Sequence, residues 1–64
     1  MSRRQLEEYL RGRGCEFHHH GGKHDVWWNP ATESFTSVPR HRAVKKSTVR
    51  SICCGLGVPR PPGL

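Results

Sequence analysis

None of the 64 residues form a run long and apolar enough to cross a bilayer, which takes about 18 consecutive apolar residues. The opening Met-Ser-Arg-Arg continues into an amphipathic stretch and lacks the apolar core of a secretory signal. Cysteine is scarce and badly placed for a disulfide framework. There are three, Cys15, Cys53 and Cys54, an odd number with two adjacent. These absences point to a reduced, cytoplasmic protein. Apolar residues make up only 33%, and a chain this short buries only about 60% of the surface its unfolded form exposes. Mean hydropathy is correspondingly low, −0.76. So thin a core excludes an enclosed substrate cavity, and any chemistry has to take place in a shallow groove or on an open face.

Acidic residues are missing from the entire second half. Residues 1–33 balance Arg3, Arg4, Arg11, Arg13 and Lys23 against Glu7, Glu8, Glu16, Asp25 and Glu33. Residues 34–64 carry Arg40, Arg42, Lys45, Lys46, Arg50 and Arg60 unopposed, so the whole net charge of +6 lies there. A field of one sign concentrates polyanions, because cations that replace condensed counterions on a phosphate backbone gain free energy by releasing them. A charged face kept for solubility is the alternative.

Ser2 and Gln5 fit a capping box, and Leu6, Tyr9 and Leu10 follow at helical spacing, which predicts a first helix over about residues 3–12 that Gly12 and Gly14 end. Three short strand-like runs come next: Cys15–His20, Asp25–Trp28 and Phe35–Val38. Gly21-Gly22 between the first two reads as a hairpin turn of the primed kind, which needs positive φ. Pro39 closes the third run, since proline cannot donate into a sheet ladder. Lys46-Ser47-Thr48 offers an N-cap for a last helix with Val49, Ile52, Cys53 and Leu56 on one side and Gly57 at its end. The expected fold is α+β in the order α-β-β-β-α: a three-stranded antiparallel sheet with both helices on one face. One domain is expected over residues 1–58, with 59–64 a frayed Pro-rich tail.

Two segments can carry chemistry. The run His18-His19-His20 is a poor metal site, because strand alternation puts His18 and His20 on one face and His19 on the other, and tetrahedral zinc needs four ligands, or three and a water. No metal is expected. Gly21-Gly22-Lys23-His24 is better suited to phosphate. Glycine lets a phosphate approach the backbone, Lys23 supplies a cation, and His24 can exchange a proton near neutral pH. RNA brings its own nucleophile, the 2′-hydroxyl, so a base and nearby cations suffice to cut it, with general acid–base help contributing about 10²–10⁴-fold. The second segment, Val38-Pro39-Arg40-His41-Arg42 running on to Lys45-Lys46, follows the third strand and can meet the glycine turn at one end of the sheet. His41 is then a candidate second proton-transfer group. Trp27 and Trp28 point to opposite faces. One packs in the core, and the other either stacks on a base or serves a protein interface.

Four linked motifs resemble the HicA toxins: Ser-Arg-Arg-Gln-Leu-Glu-Glu-Tyr-Leu opening the first helix, Gly22-Lys23-His24 after the first strand, Val38-Pro39-Arg40-His41 after the third, and Lys46-Ser47-Thr48-Val49-Arg50-Ser51-Ile52 opening the last helix. The likeness covers about residues 2–57 in order and spacing. It implies a fold like the double-stranded-RNA-binding domain and an mRNA endonuclease without metal or organic cofactor. It further implies His24 as the catalytic histidine, and an acidic HicB-like antitoxin that covers it. Cys15 replaces the large aromatic usual after the first glycine, and the histidine triplet and the tryptophan pair are unusual for that family. The expected phosphate contacts are Gly22, Lys23, Arg40, His41, Arg42, Lys45 and Lys46. A non-catalytic RNA-binding module on the same fold is the second reading, and a basic face that only docks a protein is the third.

Overall fold

The computed structural model describes residues 1–63. Helix α1 spans Arg3–Gly12, strands β1, β2 and β3 span Glu16–His20, His24–Asn29 and Ser34–Pro39, and helix α2 spans Lys46–Leu56. The strands form an antiparallel meander in the order β1-β2-β3, so the expected α-β-β-β-α arrangement is the one observed. The capping box forms in full: the Ser2 hydroxyl accepts from the Gln5 amide, and the Gln5 side chain accepts from the Ser2 amide. Gly14 at φ +87° takes the chain out of α1, and Gly57 at φ +70° ends α2.

The two helices and one sheet face share a core. Leu6 and Leu10 of α1 meet Val49, Ile52, Cys53 and Leu56 of α2 over Trp27 and Val38, and Cys15 and Val44 complete the cluster. Register decides which strand residues reach it. Asp25, Trp27 and Asn29 alternate inward on β2, while His24, Val26 and Trp28 alternate outward. Asn29 Nδ2 donates to the Leu56 carbonyl at 2.8 Å, tying the β2–β3 turn to the end of α2.

Four details differ from the expectations. The first is in β1, where the register slips between Phe17 and His19, so His18 is the extra residue of a β-bulge. Strict alternation therefore fails there: His18 and His19 share the open face with ring centroids 4.8 Å apart, and His20 turns back beside Phe17 at 4.9 Å. Second, neither Gly21 nor Gly22 has positive φ. Glycine is needed at 21 for room instead, because the Gly21 amide donates to the His24 carbonyl at 2.7 Å and an added Cβ would sit 2.7 Å from that same oxygen. Third, the N-cap of α2 is Lys45, and no side chain caps the helix, so the expected Lys46-Ser47-Thr48 cap does not form. Fourth, the segment after α2 is pinned rather than frayed at its start. The Tyr9 hydroxyl donates to the Pro59 carbonyl at 2.6 Å, and Pro61 is buried.

Candidate functional site

The turn between β1 and β2 is held from below by an ion pair that sequence reading did not pair. Asp25 faces the helices and is 8% exposed. Its Oδ1 accepts from Arg40 Nε at 2.8 Å, and His20 Nδ1 lies 2.8 Å from the same oxygen. The rest of the Arg40 guanidinium reaches the turn backbone: Nη2 donates to the Gly21 carbonyl at 2.7 Å and Nη1 to the Gly22 carbonyl at 3.3 Å. The hydrogen bond from Arg40, then that from His20, holds the Asp25 carboxyl below its usual range. Arg40 thus acts first as a strut under the glycine turn. Two of its five N–H groups remain for any other partner.

The connection after β3 is fixed from the other side by the start of the chain. Ser2 bridges Ala43, the Arg3 amide donates to the Arg42 carbonyl at 3.0 Å, and the Val44 amide donates to the Met1 carbonyl at 2.7 Å. Arg3 Nη1 also donates to the Arg40 carbonyl at 3.0 Å. Residues 40–45 are therefore a clamped strap, although they form no regular element.

Between this strap and the sheet lies an open groove of about 590 Å³. His24 enters from the first position of β2, Ser37 and Pro39 from β3, His41 and Lys45 from the strap, and Thr48 from the first turn of α2. His24 pairs across the sheet with Pro39, which places the ring at the same end of the sheet as the strap. The imidazole is exposed and has cationic company, as proton transfer to a bound polyanion requires. The uncapped start of α2 adds to this, because free amides of a first helical turn carry partial positive charge. A groove that joins two imidazoles, an ammonium group and a helix N-terminus suits a phosphate flanked by proton-transfer groups.

The cations expected on phosphate separate into distinct places. Lys45 and His41 line the groove. Lys23 and Lys46 are exposed on its approaches, in the glycine turn and at the first position of α2. Arg42 lies apart, in a second groove of about 380 Å³ with Ser2, Arg3, Arg4 and Glu7. Gly22 presents its carbonyl to Arg40. Sequence reading missed Ser37 and Thr48 as lining residues. Thr48 reads in the sequence as part of a helix cap, and an outward serine within an edge strand gives no signal of its own. Among the described residues, no group of three or more His, Cys, Asp or Glu side chains could hold a metal ion.

No curated protein and no solved structure shows a significant match to the chain. A family model described as the HicA toxin of bacterial toxin–antitoxin systems does match, over residues 3–58. That span runs from the first residue of α1 to just past the end of α2 and takes in every residue of the groove. The chain therefore belongs to the HicA toxin family.

Proposed function

We propose that this toxin is a cytoplasmic endoribonuclease that cuts mRNA in the groove between the strap and the sheet. The carrying observation is the meeting of His24, His41 and Lys45 beside the uncapped N-terminus of α2. In this reading a backbone phosphate sits against Lys45 and the free amides, with Lys23, Lys46 and the remaining N–H groups of Arg40 on the neighbouring phosphates. His24 removes the proton of the ribose 2′-hydroxyl, and the resulting oxygen attacks the adjacent phosphorus. The bond to the 5′-oxygen breaks, and that oxygen takes a proton from His41. The products are a 2′,3′-cyclic phosphate and a 5′-hydroxyl, and the step uses no metal or organic cofactor. Proton transfer of this kind contributes about 10²–10⁴-fold, and fixed positive groups around the phosphorane contribute a comparable factor of roughly 10²–10³.

The protein partner in this reading is an acidic HicB-like antitoxin, drawn to the same unopposed cations of residues 34–64 and covering His24. The test is an mRNA incubated with the purified protein in EDTA, beside a His24→Ala variant. Fragments with cyclic phosphate ends should appear with the native protein and be absent with the variant. Equal cleavage by His24→Ala would remove His24 from its role. A salt-sensitive gel shift from both proteins with no fragments would establish the non-catalytic module instead.

A further inference from the structure

The sheet face turned away from both helices carries an aromatic cluster that the groove does not use. Trp28 and Phe35 are cross-strand partners and stack, with ring centroids 5.5 Å apart and planes 21° from parallel. His18, brought to this face by the bulge, packs edge-on against Phe35 at 5.1 Å and Trp28 at 6.0 Å. Phe35 is 53% exposed, so one end of the stack is open. The other tryptophan, Trp27, is 1% exposed in the core and takes no part.

The same face leads directly to the groove. Its outward ladder runs from Trp28 and Phe35 through Val26 and Ser37 to His24 and Pro39, each a cross-strand pair. Trp28 lies four residues from His24 on β2, about 13 Å at roughly 3.3 Å per residue. A single strand covers that distance with about four nucleotides at the stacked spacing of roughly 3.4 Å, fewer when extended. Glu16, the β1 partner of Trp28, is the acidic residue at the far end of this ladder. A carboxylate repels a phosphate there but accepts hydrogen bonds from the amino groups of a base. Cations thus gather at the groove end and aromatics with an acceptor at the other.

We infer that the Trp28–Phe35 stack is a platform for one unpaired base of a single-stranded RNA whose backbone enters the His24 groove, so that the protein selects unpaired RNA. This rests on the proposed RNA substrate, but it concerns binding and can be separated from cleavage. A duplex cannot use the platform, because its bases are already stacked and paired, whereas any base of a single strand offers a π-face.

The test uses a fluorescein-labelled 12-nucleotide single-stranded RNA, the same strand with abasic residues throughout, and the corresponding duplex. Binding is read by anisotropy in a His24→Ala background, so that nothing is cut. Phe35→Ala and Trp28→Ala should each weaken binding of the single strand by about 5- to 150-fold, the loss of one stacked base. The salt slope should stay unchanged, since no phosphate contact is removed. The abasic strand should bind as weakly to the unmodified platform as the normal strand binds to Phe35→Ala, and Phe35→Tyr should restore affinity. Phe35 is half open, so its variants decide the matter even if Trp28→Ala melts early. Equal affinity of Phe35→Ala for the single strand, or equal affinity of the platform for abasic RNA, would overturn the inference. So would a Phe35→Ala variant that binds RNA normally but loses self-association, since the face would then be a contact between copies. Loss of binding in a protein that never cuts RNA would leave the platform standing and remove the nuclease. Cleavage with a neutral Phe35→Ala would do the reverse.

Discussion

Removing the Asp25 carboxylate tests how the glycine turn is held. In Asp25→Ala, Arg40 Nε and His20 Nδ1 both lose their shared acceptor. A hydrogen bond to a charged group contributes about 1.5–3 kcal/mol. The Arg40 side chain is 38% exposed and that of His20 73%, so solvent screening moves both towards the low end or below it. A total loss of about 1–3 kcal/mol follows. In a domain of this size 1 kcal/mol moves Tm by about 4–8 °C, so melting followed by circular dichroism at pH 7 should fall by roughly 5–20 °C. Below that transition the fold persists, but Arg40 no longer fixes the carbonyls of Gly21 and Gly22 beside His24. In the proposed nuclease, displacing a catalytic group by about 1 Å can lower the rate by about 10²-fold, so on that reading cleavage by the folded variant should drop well beyond what its stability explains. Acid titration gives an independent reading. Arg40 and His20 hold the Asp25 carboxyl below its ordinary value, so its stabilisation is complete above about pH 4 and is lost as pH falls through the lower folded-state value. The native protein should therefore lose stability below about pH 4 more steeply than Asp25→Asn, which has no charge to neutralise. A Tm within about 2 °C of native for Asp25→Ala, or identical acid slopes for native and Asp25→Asn, would refute the strut.

Other positions give sharper local tests. Gly21→Ala places a Cβ 2.7 Å from a backbone oxygen and should destabilise by about 1–3 kcal/mol, read from urea midpoints, whereas Gly12→Ala in α1 meets nothing and should stabilise by about 0.5 kcal/mol. Gly57→Ala combines φ +70° with a 3.1 Å approach to Thr32 Cγ2 and should lower stability by about 1–2 kcal/mol. Of the three cysteines, only Cys54 is exposed, and burial raises the thiols of Cys15 and Cys53. Ellman's reagent should therefore titrate one thiol quickly in the native protein and all three in guanidinium, and three fast thiols in the native state would contradict the packing. Trp27 buries its indole N–H with no hydrogen-bond partner. Trp27→Phe removes that unmet donor along with some apolar area and should cost under about 1.5 kcal/mol, against about 3–5 kcal/mol for Trp27→Ala.

Most of the architecture could be read directly from residue pattern, because each element announces itself locally. Ser2 and Gln5 are three residues apart and start α1, the apolar stripe of Val49, Ile52, Cys53 and Leu56 marks α2, and alternation in β2 separates Trp27 from Trp28. What the pattern hid depends on partners distant in sequence or on a broken period. Arg40 read as a phosphate ligand because Asp25 lies 15 residues earlier, and nothing local announces that the two pair. The bulge at His18 breaks the two-residue period on which the face assignment of the histidines relied. Thr48 was read as capping material, but the strap delivers Lys45 to the cap position with its amides uncovered. His24 and His41 were each named from sequence. Their meeting in one groove follows from tertiary contacts of residues 1–3 with the strap, which no single segment encodes.

The kink in β1 also bears on solubility. β1 is an outer strand of a three-stranded sheet, with all five residues exposed beside an aromatic face. A straight outer strand of that kind is a template on which another molecule could extend the sheet. The extra residue at position 18 interrupts the even spacing of outward N–H and C=O groups and increases the local twist, so an incoming strand cannot keep register past it. Straightening this strand by deleting His18 should therefore favour assembly of copies into extended sheets.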